Sequence, residues 1–541
     1  MSNSSTPVLK RMPIGIQNFP EIASQNYAYV DKTGLVHQLI NDTKHNFLSR
    51  PRRFGKSLLV STLKAYFQGK ADLFKGLALE KLEPSVEDGG WEKHEVIHFD
   101  FAAGDFSRGD IESLHIQLDN TLIPLEQKYQ VIPPALTNHG SRFLNLIRTI
   151  FEQTQERVVV LFDEYDKPLL SRLEQFQTET DQVHSELRAF FTVLKSADEY
   201  IRFSLLTGIT KFAKLTLFSG ANQLADLSLI PQYSAICGIT QEELENNFQP
   251  EIEELGQAND LDYAQTLDKL REEYDGYDFT GDQIKVYNPF STINVLHRKK
   301  FSNYWFESGT PTFLVKQIQQ NHFNLLKFEN DIYSSAPDIE NYRPEEPDII
   351  PLMFQSGYLT IQGIEADTQE YILGYPNNEV RYGLLNQLMK FQTPVSLSSD
   401  FDSARFYKDL KKQDFDNFFQ RLKSFYSSIP YDLNTGSEKF YQGIFYMLVT
   451  LIGQYVKVEE HHAAGSSDVV IEMPNQIIVI EFKLDGSGTP ADALAQIEAK
   501  GYATKYENDP SETRLVVKIG ITFDNEQRTV KEYEVNPPLI P

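Results

Sequence analysis

The chain has 541 residues, too many for one core, so two to four domains are expected. Hydrophobic residues at 41%, aromatics at 12% and charged residues at 23% describe an aromatic-rich globular protein and exclude a disordered one. A net charge of −25 argues against coating nucleic acid by bulk electrostatics, yet leaves room for an enzyme that grips it through a local basic groove or a metal.

In chain order, the opening "MSNSSTPVLKRMPIG" lacks the apolar segment of a secretory signal. No later run approaches the roughly 20 apolar residues that a membrane helix needs. The single cysteine, Cys237, excludes an internal disulfide framework and suits a reducing compartment. The expected location is cytoplasmic, with no membrane partner. From about Tyr27 to Cys237, the runs "HNFLSR", "EVIHFDF", "RVVVLFDE" and "IRFSLLTG" alternate with helical stretches, the pattern of a mainly parallel α/β sheet. "VVVLF" is continuously apolar, as a strand buried on both faces should be.

The first of these runs leads into "RPRRFGKSLLVSTLKAYF", read as strand, turn and helix. Such a turn cradles phosphate with backbone N–H groups at a helix N-terminus. The candidate surface is Arg52, Arg53, Phe54, Gly55, Lys56, Ser57 and Leu58. Gly55 lets the backbone approach a phosphate, Lys56 reaches the β/γ-phosphates of ATP, and Ser57 ligates Mg2+. The usual phosphate-loop pattern wants glycine where this chain has Arg50, so the tripeptide alone is weak. About a hundred residues on, the buried strand ends in Asp163-Glu164, fit for the Mg2+ shell and for polarising the attacking water. "SLLTGIT" ends in Thr207 and Thr210, either of which could sense the γ-phosphate, with Thr207 the candidate carried forward.

The middle, 238–427, reads as a mostly helical lid or linker, after an ATPase domain over 1–237. The last block, 428–541, reads as a second α/β domain: helix "EKFYQGIFYMLVTLIG", hairpin "SSDVVIEMPNQIIVIEFK", helix "ADALAQIEAKGYATKY" and strand "RLVVKIGITF". Glu481 and Lys483 share one face of a strand, and an antiparallel partner can bring Asp468 to it. Two carboxylates can then hold Mg2+ or Mn2+, with the lysine on the attacking water, as in a nuclease core. Glu438 on the preceding helix is a further candidate metal ligand, and Gln496, Lys500 and Tyr502 on the following helix are further candidates in support. The same triple also fits a structural hairpin with a surface salt bridge. Residues 431–541 hold 9 Lys/Arg against 17 Asp/Glu, a net of −8, which is a poor surface for long duplex contact. His461 and His462 read as loop histidines rather than ligands.

Together, "PIGIQNFPEIASQNYAYVDKT", "FLSRPRRFGKSLLVSTLKAYFQG", "VVVLFDEYDKPL", "LLTGITKF", "YDGYDF", "VYNPFS", "FQSGYLT" and "YPNNEVR" resemble the AAA-ATPase-like family. "IIVIEFKLDGS" and "ALAQIEAKGY" resemble the PD-(D/E)XK nuclease domain with which its members typically end. The resemblance implies a P-loop NTPase-like parallel sheet and a restriction-endonuclease-like α/β domain. It implies Lys56 and Ser57 at phosphate and Mg2+, and Asp163 and Glu164 at metal and water. Asp468, Glu481 and Lys483 form the implied nuclease core, with Gln496 in support. R-P-R-R-F-G-K-S is the family's usual loop, whereas "GSSD" before the metal aspartate departs from its common "GRxD". The implied activity is an ATPase that regulates or powers a nuclease acting on nucleic acid, DNA rather than RNA, in defence or mobile-element biology. The alternative is an ATP-dependent switch whose nuclease fold only binds. Oligomeric state stays open, including a homo-oligomer with a site-completing arginine from a neighbour.

Overall fold

The computed structural model describes residues 10–108, 110–132, 138–174, 181–211, 223–307, 314, 332–340, 349–392, 403–428, 445, 447–453, 457–463, 466–484, 486–501, 503–508, 511–524, 526 and 529–536. Two compact units form, one of residues 1–323 and 327–381, the other of 324–326 and 382–541.

In the first unit, five strands form one parallel sheet: β1 (His45–Ser49), β2 (Val96–Asp100), β3 (Val158–Asp163), β4 (Ile201–Gly208) and β5 (Ala225–Asp226). Their order is β2-β3-β4-β1-β5. Every residue of β1 and β3 is buried; β3 accordingly reads as an unbroken apolar run, whereas β1 buries the polar His45 and Asn46 by hydrogen-bonding them to Ser204 of β4. Because the strands are parallel, β1, β3 and β4 end at the same edge, where open α/β sheets bind ligands. Helix α1 (Lys56–Phe67) follows β1 directly after a six-residue turn, 50–55.

Three further helices, α2 (Ile111–Lys128), α3 (His139–Thr154) and α4 (Asp181–Ser196), pack together beside the sheet. Asp110 caps α2 by accepting from Ser113 N at 2.9 Å, and Asn138 caps α3 by accepting from Ser141 N at 2.8 Å. An aromatic core joins them to β2 and β3. Phe99 stacks on Phe162 at 5.1 Å, and Phe143 on Phe190 at 4.8 Å.

Beyond Cys237 come α5 (Gln241–Ala258), α6 (Tyr263–Tyr274) and α7 (Pro289–Arg298), sharing a core of Leu244, Phe248, Ile252, Leu270, Tyr274 and Val295. Thr240 and Glu243 form a capping box on α5, and the chain kinks at Phe248 ahead of Pro250. The middle region also holds a small antiparallel sheet that the sequence did not announce. It consists of β6 (Ile332–Ser334), β7 (Thr360–Ile364) and β8 (Tyr371–Gly374) in the order β6-β8-β7.

The second unit contains a five-stranded sheet, β9 (Lys457–Ala463), β10 (Ser466–Glu472), β11 (Gln476–Leu484), β12 (Leu515–Asp524) and β13 (Thr529–Asn536). β10 and β11 form the expected antiparallel hairpin, and β11 runs parallel to β12. Helix α8 (Pro490–Lys500) covers β11 and β12, with Ile497 packed among Val470, Ile477 and Val479. β9 overturns the reading of His461 and His462 as loop residues. It pairs along β10 with His461 opposite Asp468, because "VEEHHA" gains a ladder partner that its charge pattern did not betray.

Candidate active sites

The turn between β1 and α1 depends on two left-handed residues, Arg53 at φ 70° and Gly55 at φ 95°. A Cβ on Gly55 would meet nothing within 4 Å, so glycine is needed there for its backbone freedom and not for space. Phe54 is buried edge-on against Tyr277 at 4.7 Å and Phe279 at 5.4 Å, which anchors the turn from beneath. Lys56 opens α1. Its ammonium donates to the carbonyls of Arg50 at 2.8 Å and Pro51 at 2.9 Å, using two of its three N–H groups. Burial pulls its pKa down, against the attraction of Glu164, Asp163 and Asp166.

Arg50, where glycine is usual, is 1% exposed and does not line the cavity. Its guanidinium donates to Ser49 O and Ser228 O at 2.9 Å and to Tyr233 O at 3.1 Å, and lies 4.4 Å from the Phe279 ring centre. Burial brings it down to about 10. Arg50 thus braces backbone, whereas Arg52 and Arg53 both line the cavity. The Arg52 carbonyl accepts from Trp305 Nε1 at 3.2 Å, and the exposed Arg53 guanidinium lies 5.0 Å from the ring centre of Phe290 on α7.

That cavity has a volume of about 450 Å³, within the range of small-molecule sites. Arg52 to Leu58 line one wall, with Glu164 and Asp166 beside Lys56. The rest of the lining is largely apolar, with Ile16, Val30, Val36, Ile239, Phe248 and Ile293, and also includes Gln17, Lys32, Thr62 and Lys167. The candidates from the turn and Glu164 are therefore brought together. Asp163 and Thr207 lie just behind them, buried and outside the lining. Since β4 separates β1 from β3, Thr207 is positioned to donate to Asp163 Oδ1 at 2.5 Å. Asp163 Oδ2 has no hydrogen bond among the described residues. Glu164, left-handed at φ 54°, is pushed upward by burial, partly offset by Lys56.

Sequence reading missed Asp166, although "DEYD" carries it in plain view. It is 1% exposed, and Oδ2 accepts from Ile209 N at 3.0 Å and from Thr210 N and Oγ1 at 2.7 Å. Its Oδ1 is buried and has no partner among the described residues. Thr210 is thereby occupied as a positioning group for Asp166.

In the second unit, Val469 pairs with Ile480, so continuing the register one step sets Asp468 opposite Glu481. Glu481 is 1% exposed, and both carboxylate oxygens are buried with no hydrogen bond among the described residues. Burial without hydrogen bonds is costly for a carboxylate unless cations offset it, so the residue fits a divalent metal beside the Lys483 ammonium. Lys483 Nζ lies 3.9 Å from Glu481 Oε1 and hydrogen-bonds Gln496 Oε1 of α8. Glu481, Lys483 and Gln496 are thus gathered as expected. Lys500 is exposed at the end of α8, while Glu438 and Tyr502 lie outside the described residues.

Residues 13–218 match a family described as "Predicted AAA-ATPase", and residues 436–533 match the PD-(D/E)XK nuclease superfamily. An "uncharacterized protein in vnfD 5'region" of Azotobacter chroococcum mcd 1 is 34% identical over 539 residues, covering 97% of this chain and 99% of that protein. Among solved structures, the Aeropyrum pernix ORC1 protein in complex with DNA overlaps with a TM-score of 0.24 at 9% identity, covering 68% of this chain and 95% of that one. Cdc6p from Pyrobaculum aerophilum overlaps with a TM-score of 0.20 at 10% identity, covering 71% of this chain and 97% of that one. Both overlaps are weak. The end-to-end relationship and the two domain matches agree, and the chain belongs to the AAA-ATPase-like family, with a C-terminal domain of the PD-(D/E)XK nuclease superfamily.

Proposed function

We propose that the first unit binds and hydrolyses ATP and thereby controls a metal-dependent nuclease in the second, with DNA rather than RNA as substrate. The observation that carries the reading is Lys56 at the acidic end of a nucleotide-sized cavity, held by its own loop carbonyls and facing Glu164. The Lys56 ammonium, donating to those two carbonyls, would turn to the phosphate oxygens of a bound nucleotide. Main-chain N–H groups at the start of α1 take the remaining phosphate charge. Ser57 and Asp163 would hold Mg2+, which neutralises charge on the β- and γ-phosphates. Glu164 orients the attacking water, and Thr207 fixes the Asp163 carboxylate. The apolar wall receives the base.

In the second unit Glu481 and Asp468 would hold Mg2+ or Mn2+, which supplies an activated water and stabilises the leaving oxygen. Lys483, kept in line by Gln496, positions that water and offsets charge building on the phosphate. The net of −8 over residues 431–541 favours brief, local contact with nucleic acid. It also favours the second reading, in which ATP works a switch and the nuclease fold is a binding module. A role in defence or with mobile elements is compatible with either.

The test uses the purified full chain. Lys56→Ala and Glu164→Gln should each lower ATP turnover by about 10²-fold or more. Unchanged turnover in both would overturn the ATPase assignment. Mg2+- or Mn2+-dependent cleavage should vanish in Asp468→Ala and Lys483→Ala. If wild type binds nucleotide yet neither cleaves DNA nor takes up Mn2+ at Glu481, the switch reading replaces the nuclease one.

A further inference from the structure

Outside the lining of the first unit's cavity, three helices of that unit converge two imidazoles and a carboxylate. His115 comes from the second turn of α2, His139 is the first residue of α3, and Glu186 lies in the second turn of α4. One ligand atom from each lies within 4.8 Å of the others. Glu186 Oε1 is 3.3 Å from His139 Nδ1 and 4.0 Å from His115 Nε2, and the two rings lie 4.4 Å apart. None of the three lines the nucleotide cavity.

We propose that His115, His139 and Glu186 form a binding site for a zinc-type transition-metal ion that ties α2, α3 and α4 together. Tetrahedral coordination with bonds of ~2.0–2.1 Å separates ligand atoms by ~3.3 Å, so one edge of the triangle already has the required length. The 4.0 Å edge must close by about 0.7 Å, and the edge between the two imidazoles, within 4.8 Å, by at most about 1.5 Å. His115 makes no hydrogen bond among the described residues, leaving its lone pair free. Its side chain is 34% exposed, so an ion has access from solvent and a water can fill the fourth position. Two imidazoles with one carboxylate suit zinc or cobalt better than calcium or magnesium, which prefer oxygen alone.

The surroundings support the same assignment. Asp119, one turn after His115 on α2, lies 3.3 Å from His139 Nε2, the nitrogen facing away from Glu186. Nε2 is buried and has no aligned hydrogen bond, and a small ring rotation would give Asp119 its N–H. That contact would leave Nδ1 deprotonated for the ion, as carboxylate–histidine pairs do around metals. Asp119 is itself held by Arg142 NH1 at 2.6 Å, and Arg142 also grips Glu126 through Nε at 2.9 Å and NH2 at 2.8 Å. A charged frame therefore fixes the carboxylate behind the histidine.

Cobalt titration into chelator-stripped, dialysed full chain tests the site. One equivalent should give the visible absorption of a tetrahedral nitrogen–oxygen centre, and zinc should displace it. His115→Asn and Glu186→Gln should abolish the absorption while retaining wild-type circular dichroism and ATP turnover. Glu481→Ala should keep it, which separates this site from the C-terminal one. Asp119→Asn should weaken affinity ~10–100-fold. Zinc should raise the Tm of wild type and not of His115→Asn. The assignment is overturned if wild type shows no such absorption, or if His115→Asn and Glu186→Gln both retain it.

Discussion

Arg50 replaces the glycine that a phosphate loop usually carries, and its side chain serves the backbone rather than the ligand. Truncation as Arg50→Met should cost about 1–3 kcal/mol, because buried Ser228 O loses its side-chain donor, whereas Tyr233 O keeps the N–H of Ile236 at 3.2 Å. A urea midpoint measures the loss, and an unchanged midpoint would show that water replaces the guanidinium. The sequence displayed the loop but not this use of it, because the partners lie 178 and 183 residues further on. Asp166 was overlooked for a related reason: its hydrogen-bonding partners sit on a different strand end. Asp275, at the end of α6, offers a pH test. Burial raises its carboxyl from the usual 3.8 to about 6, and Oδ1 has no partner among the described residues. The folded state therefore holds this proton more tightly than the unfolded one, so its contribution is present below about pH 4 and lost as pH rises through about 6. Tm should fall less between pH 4.5 and pH 7, taken as approximate end points, in Asp275→Asn than in wild type. Equal slopes would mean that Asp275 ionises without penalty in the folded protein.

Strands with continuous apolar runs, and helices with caps, could be read in chain order. Short or charged strands could not. β6 has three residues and β9 reads "KVEEHHA", so only their ladder partners define them. The seat of α8 is another feature hidden from sequence. A Cβ on Gly520 of β12 would lie 2.1 Å from the carbonyl oxygen of Pro490, the first residue of α8. Backbone cannot yield cheaply there, so Gly520→Ala should cost about 1–3 kcal/mol. The shift should carry Gln496 off Lys483 and weaken Mn2+ binding in the same variant. Full Mn2+ affinity with a lowered Tm would show that α8 tilts without moving its Gln496 end.

The two compact units imply two separable responses to ligands. An ATP analogue should raise the melting transition of the first unit, by about 2.7 kcal/mol of stability at a hundredfold excess over Kd. Mn2+ should raise that of the second, and Glu481→Ala should remove only the latter. Scanning calorimetry of the full chain reads both; a single transition moved by either ligand would instead show one cooperative body. At this scale the parallel sheet and the hairpin were legible, whereas the strand order β2-β3-β4-β1-β5 rests on long-range packing that no local pattern encodes. The Arg50 brace also sets a timetable for biosynthesis. Its acceptors and the ring beneath it belong to Ser228, Tyr233 and Phe279, so the ribosome must deliver more than half the chain before the turn around Lys56 acquires its final shape. The downstream nuclease-superfamily domain is made only after that point.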